Sequence, residues 1–286
     1  MIAPEAILAR VKELPTLSQV TVRLRQLLSD RKSGAAEFEQ VIRPDPALTA
    51  NLLRIANSAY FGVRSRVESV RQAVTLLGVK RVYEIASAAA LAPAVPRRLP
   101  GYEIDAAGFW LHCVGVAVLS ERLARELKLA MPDLTFTAGL LHDVGKLVVG
   151  TFVGGASDEI LARVRGGRAF ASAEREVLGT DHCEVAAALA DAWKLPPTVG
   201  AVVRWHHAPP REGPDSLIIG LVHAADGLAH VMGLGTDAGE LARTMDAGAA
   251  ERLGIRARRL EHVASESLDE IREMAAVFAP PAGGTR

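Results

Sequence analysis

An all-α protein is what this sequence predicts, and three observations carry the prediction. Alanine, leucine and valine dominate a chain that is 49% hydrophobic yet only 5% aromatic, a balance that favours closely packed helices over a β-sandwich. Apolar residues recur at three- and four-residue spacing along most of the chain. No segment sustains a period-two alternation, so few or no strands are expected.

The elements follow in order. "QVTVRLRQLLSD" places Val20, Leu24, Leu27 and Leu28 on one stripe. "RPDPALTANLLRIANSAYFG" opens with a capping Asp45 and with Pro46 at the first helical position, then runs through Leu48, Leu52, Ile55 and Ala59 to a stop at Gly62. "SVRQAVTLLG" repeats the pattern, with Ser69 as cap and Gly78 as stop, and "VKRVYEIASAAALA" is a further helix. Three prolines and a glycine in "APAVPRRLPG" (92–101) mark an internal boundary. We therefore expect two abutting helical lobes, 1–100 and 101–278, and a disordered tail, 279–286. In the second lobe "DAAGFWLHCVGVAVLSERLARELKL" reads as one long helix and "PDLTFTAGLLHDVGKLVVGTF" as another. Helices follow in "DHCEVAAALADAWKL", after Pro196 and Pro197, in "SLIIGLVHAADGLAHVMG" and in "ARRLEHVASESLDEIREMAAVF".

Composition limits the function. Thirty-three basic residues balance 33 acidic ones, so no bulk positive field points to nucleic acid. The basic cluster Arg64, Arg66, Arg71, Lys80 and Arg81 is diluted by Glu68 and Glu84. Two cysteines, Cys113 and Cys183, are too few for a disulfide framework and read as small core residues. The charged opening "MIAPEAILARVKELP" is no secretory signal, and the apolar runs read as shorter than a spanning helix. A cytoplasmic protein with no membrane partner is expected.

The stretch "AGLLHDVGKLVV" sets His142 and Asp143 in an aliphatic run, where unpaired ionisable groups are costly. Other histidines stand in similar company: His112 beside Trp110 and Leu111, His182 after Asp181, and His206–His207 at a helix end. Asp226 lies in an otherwise apolar helix, with His223 and His230 at i−3 and i+4. Imidazole nitrogens with carboxylate oxygens suit Fe, Mn, Zn or Co. On a continuous helix Lys146 shares the face of His142, where an ammonium contacts a metal-held phosphate. That chemistry is metal-assisted phosphoester hydrolysis, with Asp143 and Lys146 as catalytic candidates. The alternatives are a hydrogen-bonded cluster in a metal-free pocket and a solvated Lys146.

These residues resemble the HD superfamily of metal-dependent phosphohydrolases, whose pattern matches His112, His142–Asp143 and Asp226. "LPTLSQVTVRLRQLLSD", "VIRPDPALTANLLRIANSAYFG", "VESVRQAVTLLGVKRVYEIASAAAL" and "AAALADAWKLPPTVGAVVRWHH" narrow the resemblance to the HDOD family of bacterial signalling and output modules. The resemblance implies an HD-type helical bundle as the second lobe. Many HDOD proteins resemble HD domains that have lost metal ligands and act as regulatory modules without catalysis. This chain keeps them. By similarity to the HD-GYP phosphodiesterases, one divalent transition metal takes His112, His142, Asp143 and Asp226, and a second shares Asp143 and adds His182, His206 and His207. The Gly-Tyr-Pro motif is absent, since "HHAPPREGPDSL" stands there, and Ala229 replaces that family's second aspartate. Both departures count against cyclic-di-GMP hydrolysis by that family's means. The implied function is a signalling protein with one or two metals that hydrolyses a nucleotide or cyclic nucleotide. The alternative is a non-catalytic scaffold regulating a protein partner. No receiver or GGDEF-like segment is present, so the input is expected in trans.

Overall fold

The computed structural model describes residues 6–7, 9, 19–30, 32–58, 61–63, 65–91, 95, 97–129, 135–235, 237 and 245–278. The 279–286 tail, Ala59, Tyr60 and Arg64 and most of the proline-rich stretch before Arg97 lie outside them. Among the described residues the fold is all-α apart from one tiny hairpin, as expected.

Among the described residues the first half of the chain carries α1 (Gln19–Ser29), α2 (Ala35–Ile42), α3 (Pro46–Ala56) and α4 (Val70–Leu91). Helix α3 begins where the sequence signals it: Asp45 accepts a hydrogen bond from the Leu48 N–H at 2.9 Å, with Pro46 next in line. It ends earlier than Gly62. Asn57 leaves the helix, and its side chain donates to the Leu53 and Val67 carbonyls and accepts the Val67 N–H. The side chain thus replaces a further helical turn. Helix α4 is broken at Gly78, which takes φ 83° and ψ 158°, a conformation only glycine adopts cheaply. Helices α1, α2 and α3 pack on α4.

The boundary stretch forms β1 (Arg98–Leu99) and β2 (Ile104–Asp105), an antiparallel pair. Asp105 then caps α5 (Ala106–Glu126), accepting from Gly108 N–H at 2.7 Å. Helix α5 is the axis of the second half. Its Val114, Val116, Ala117, Val118 and Leu119 are fully buried, each larger side chain worth about 1.5–3 kcal/mol of transfer free energy. Around it pack α6 (Thr135–Leu141), α12 (Ser216–Val231) and α14 (Ala257–Phe278). Helices α7 (Lys146–Gly155), α8 (Ser157–Arg165), α9 (Phe170–Leu178), α10 (His182–Ala192) and α11 (Pro197–Trp205) build the opposite wall, and α13 (Ala247–Arg252) lies against α12.

Two expectations need correction. The helix read through "PDLTFTAGLLHDVGKLVVGTF" is, over its described residues, two helices, α6 and α7, split by a turn at His142–Gly145. Gly145 explains the split. A β-carbon there would stand 1.9 Å from the His182 carbonyl oxygen, so the turn seats itself directly on the first turn of α10. The run Thr135–Gly155 is also long and apolar enough by composition to cross a bilayer, more than the sequence reading allowed. In the structure it is bent at that turn, and most of its apolar window is buried. One contiguous apolar core reaches from Leu24 through Leu119 to Met274, and Arg81 of α4 pairs with Glu121 of α5 at 2.8 Å, tying the halves together.

Candidate metal centre

Five backbone elements deliver the ligand candidates. His112 projects from the first half of α5, His142 and Asp143 sit in the α6–α7 turn, and His182 opens α10. Asp181 caps that helix by accepting the Glu184 N–H at 2.8 Å. His206 and His207 follow the last residue of α11, and Asp226 faces them from the middle of α12. Apart from His207, which is half-buried, all are essentially inaccessible.

Each buried imidazole is fixed by its outer nitrogen. His112 Nδ1 lies 3.1 Å from the Leu234 carbonyl, His142 Nδ1 2.7 Å from that of Gly139, and His206 Nδ1 3.0 Å from that of Val203. His182 Nδ1 instead meets the carboxylate of Glu174 at 2.6 Å. A carbonyl or carboxylate accepts only, so each of these Nδ1 atoms carries a proton and each Nε2 points inward. Burial keeps His112 and His206 neutral: it pushes both imidazoles down to about 4, against the pull of Asp226 and Asp143 respectively. Burial works in the same direction on His182, but Cys183 and Glu174 outweigh it and hold that imidazole well above its usual range.

The inward atoms converge. His112 Nε2 is 3.2 Å from His142 Nε2 and 3.2 Å from Asp226 Oδ1. His142 Nε2 is 3.3 Å from Asp143 Oδ2. On the other side of Asp143, Oδ1 faces His182 Nε2 and His206 Nε2, each at 3.6 Å, while His207 Nε2 is 3.0 Å from His182 Nε2. Where the lone pair of a neutral imidazole faces a carboxylate oxygen, as His112 Nε2 faces Asp226 Oδ1 and His206 Nε2 faces Asp143 Oδ1, the two repel unless a cation lies between them. Asp143 Oδ1 and His206 Nε2 have no hydrogen-bond partner despite full burial, an expensive state that a bound ion relieves. The donor set therefore fits a divalent transition metal on either side of Asp143. Cys183 Sγ comes within 4.8 Å of the ligand atoms of His182, His206 and His207, closer than its position one residue along α10 implied.

The HDOD domain family model matches residues 14–209. The chain belongs to the HDOD family. Among solved structures, a candidate phosphohydrolase from Shewanella amazonensis SB2B is 27% identical, covering 96% of this chain and 98% of the other, with a TM-score of 0.75. An HDOD domain protein of unknown function from Geobacter sulfurreducens is 25% identical over 96% of this chain and 97% of its own, with a TM-score of 0.72. An uncharacterized protein of Treponema pallidum (strain Nichols) is 25% identical over 204 residues. That match covers 69% of the HDOD chain but spans only 38% of the length of this curated relative.

Lys146 of this HDOD protein does not stand where the helix reading put it. Because the turn intervenes, its ammonium folds back onto Asp143 Oδ2 at 2.6 Å and is held on its other side by Asp237, also at 2.6 Å. It is buried. Although burial pushes the Asp143 acid up, Lys146 and His142 hold it well below the usual carboxylate range.

Three residues enter the site that the sequence reading left out. Glu174 is wholly buried on α9 beneath His182, and Tyr102 of the β-hairpin donates to it. Asp237 holds Lys146. The signal for Glu174 was a single acidic residue on the apolar side of α9; Asp237, in a loop, carried none. His230 also joins, with Nε2 3.2 Å from Asp226 Oδ1 and its ring 4.6 Å from that of His112. His223 is structural: Nδ1–H donates to the His206 carbonyl and Nε2 accepts the Asp246 N–H, which fixes its neutral tautomer.

A cleft of about 590 Å³ opens onto His207, Asp226 and His230, a size suited to a small-molecule ligand. Its rim carries Arg175, Arg204 and Trp205, with the Arg204 guanidinium 5.4 Å from the centre of the Trp205 ring.

Proposed function

We propose that this HDOD protein binds one or two divalent transition-metal ions in its His/Asp cluster and is a metal-dependent phosphohydrolase acting on a nucleotide or cyclic nucleotide. One observation carries the reading: inward-facing imidazoles crowd two buried carboxylates at the floor of an open cleft. His112, His142, Asp143 and Asp226 would hold one ion; Asp143, His182, His206 and His207 would hold a second. A divalent ion there supplies Lewis acidity toward a phosphoryl oxygen and toward a water nucleophile. The chain's own residues do the rest. Asp143, kept ionised by Lys146, presents an oxygen to each side. Arg204 and Arg175 attract an anionic ligand at the rim, and Trp205 offers an aromatic plane to a base. The similarity to the Shewanella candidate phosphohydrolase supports this class of reaction.

One observation favours a second reading, a non-catalytic output module that regulates a protein partner in trans. The Lys146 ammonium already sits on Asp143 Oδ2, and an internal cation competes for one ligand oxygen. Elemental analysis of anaerobically purified protein, followed by a screen over phosphodiesters and nucleotides, separates the two. We expect one or two transition-metal ions per chain and metal-dependent turnover that Asp143→Ala reduces to background. Metal-free protein with an intact fold refutes the metal centre, and metal-loaded protein inert on every substrate leaves the output module.

A further inference from the structure

The four fully buried imidazoles of the cluster are not held alike. His112, His142 and His206 each direct Nδ1 at a neutral backbone carbonyl. His182 directs its Nδ1 at a buried carboxylate, Glu174 Oε2, at 2.6 Å. That same oxygen accepts the His182 backbone N–H at 3.1 Å, so ring and main chain of one residue are both anchored to it. The other oxygen, Oε1, accepts the Tyr102 hydroxyl. Glu174 and Tyr102 are both fully buried, and the Tyr102 ring packs edge-on to the His182 ring at 6.4 Å and against Phe170 at 5.4 Å. Burial first, then the Glu174 charge, pushes the Tyr102 hydroxyl well above its usual range, so tyrosine is the donor of that bond. The carboxylate is thus held by three donors, two of them from His182 itself.

We infer that Glu174, hooked by Tyr102, is the positioning residue that makes His182 the strongest nitrogen donor of the cluster, so that the metal position formed by Asp143, His182, His206 and His207 is the tighter of the two. The inference rests on the metal-centre reading above. Its physical cause is electrostatic. An N–H donated to a full negative charge leaves more electron density on the opposite nitrogen than one donated to a carbonyl dipole, and such outer partners typically carry 10–100-fold in metal affinity. The buried charge adds to the pull on a cation, since water does not reach it to screen it. Tyr102 comes from the hairpin at the lobe boundary, so the first hairpin loop of the second half reaches the metal position through only two side chains.

The test is a cobalt(II) titration of the full chain, followed by visible ligand-field bands and by equilibrium dialysis. Glu174→Gln keeps the hydrogen-bonding shape and removes the charge. We expect it to weaken one binding step roughly 10–100-fold and to shift the bands of that step. His112→Ala, which removes a ligand from the other position, should retain that step and lose the other. Tyr102→Phe keeps the carboxylate and loses one donor; it should weaken the same step by a smaller factor, and it carries the test should Glu174→Gln fail to fold. Glu174→Gln that binds cobalt as the wild type does, or a folded variant in which both steps weaken equally, overturns the inference. So does a Tyr102→Phe variant with wild-type affinity when it alone folds. Wild-type protein that takes up no cobalt overturns the metal-centre reading itself, an outcome visible before any variant is made.

Discussion

Replacing Gly145 by alanine tests whether the His142–Gly145 turn must touch helix α10 for the centre to exist. The added β-carbon would stand 1.9 Å from the His182 carbonyl oxygen, 2.8 Å from its carbonyl carbon and 2.9 Å from the Ala186 nitrogen. Ordinary contact begins near 3.4 Å, so turn and helix must part by about 1.5 Å. All three contacts are backbone, so no side chain can rotate away. Overpacking a rigid core costs about 1–3 kcal/mol, and backbone on both sides places this site at or above the upper end. The same displacement carries His182 away from Asp143 Oδ1, now 3.6 Å apart, so it should weaken metal uptake as well. Urea unfolding monitored by circular dichroism measures the first effect and a cobalt(II) titration the second. The expected outcome is a lowered midpoint with an unchanged slope, since the denatured state gains nothing, together with weaker binding. A Gly145→Ala protein with wild-type midpoint and wild-type affinity would falsify the view that this contact sets the centre's geometry.

Three further outcomes follow from other parts of the structure. Burial, with Glu121 adding to it against the pull of Arg81 and Lys80, pushes the Glu84 acid up from 4.5 to about 7. A carboxyl that binds its proton more tightly folded than unfolded makes stability fall as pH rises through that window. Glu84→Gln removes the titration and should gain up to about 3 kcal/mol over wild type between pH 4 and pH 8; a difference constant with pH would refute it. Lys146→Met leaves Asp143 and Asp237 facing each other without their shared cation and should cost about 3–5 kcal/mol, read from thermal unfolding in the absence of divalent metal. Asp45→Ala removes only a helix cap and should cost about 1 kcal/mol, with no change in cobalt binding.

Much of the fold was legible because helices advertise themselves. Asp45, Ser69 and Asp181 cap where short polar side chains precede apolar stripes, and Gly78 breaks where a left-handed residue is needed. The ligand candidates were legible for a related reason: an ionisable residue such as Asp226 inside an apolar helix must have a partner. What escaped was set by tertiary contact. Continuous apolar periodicity across Ala138–Val149 conceals the turn, since its cause is the approach of α10, far along the chain. That hidden turn also moved Lys146, whose helical spacing from His142 was the basis of its reading as a phosphate contact. Glu174 looks like its neighbour Glu176 in sequence, and only packing decides that one is buried under His182 while the other pairs with Arg163 and Arg168 in the open.

The three tryptophans are divided in a way that has a practical use. Trp110 and Trp193 are buried in the core, whereas Trp205 is 45% exposed at the mouth of the cleft, immediately before His206. Iodide or acrylamide should therefore quench one indole of the native protein and spare two. An aromatic or anionic molecule entering the cleft would shield that indole, and a paramagnetic ion in the cluster would dim it. The protein thus carries its own optical reporter beside the site whose occupant is sought, and ligands can be screened by intrinsic fluorescence without a label or an assumed reaction.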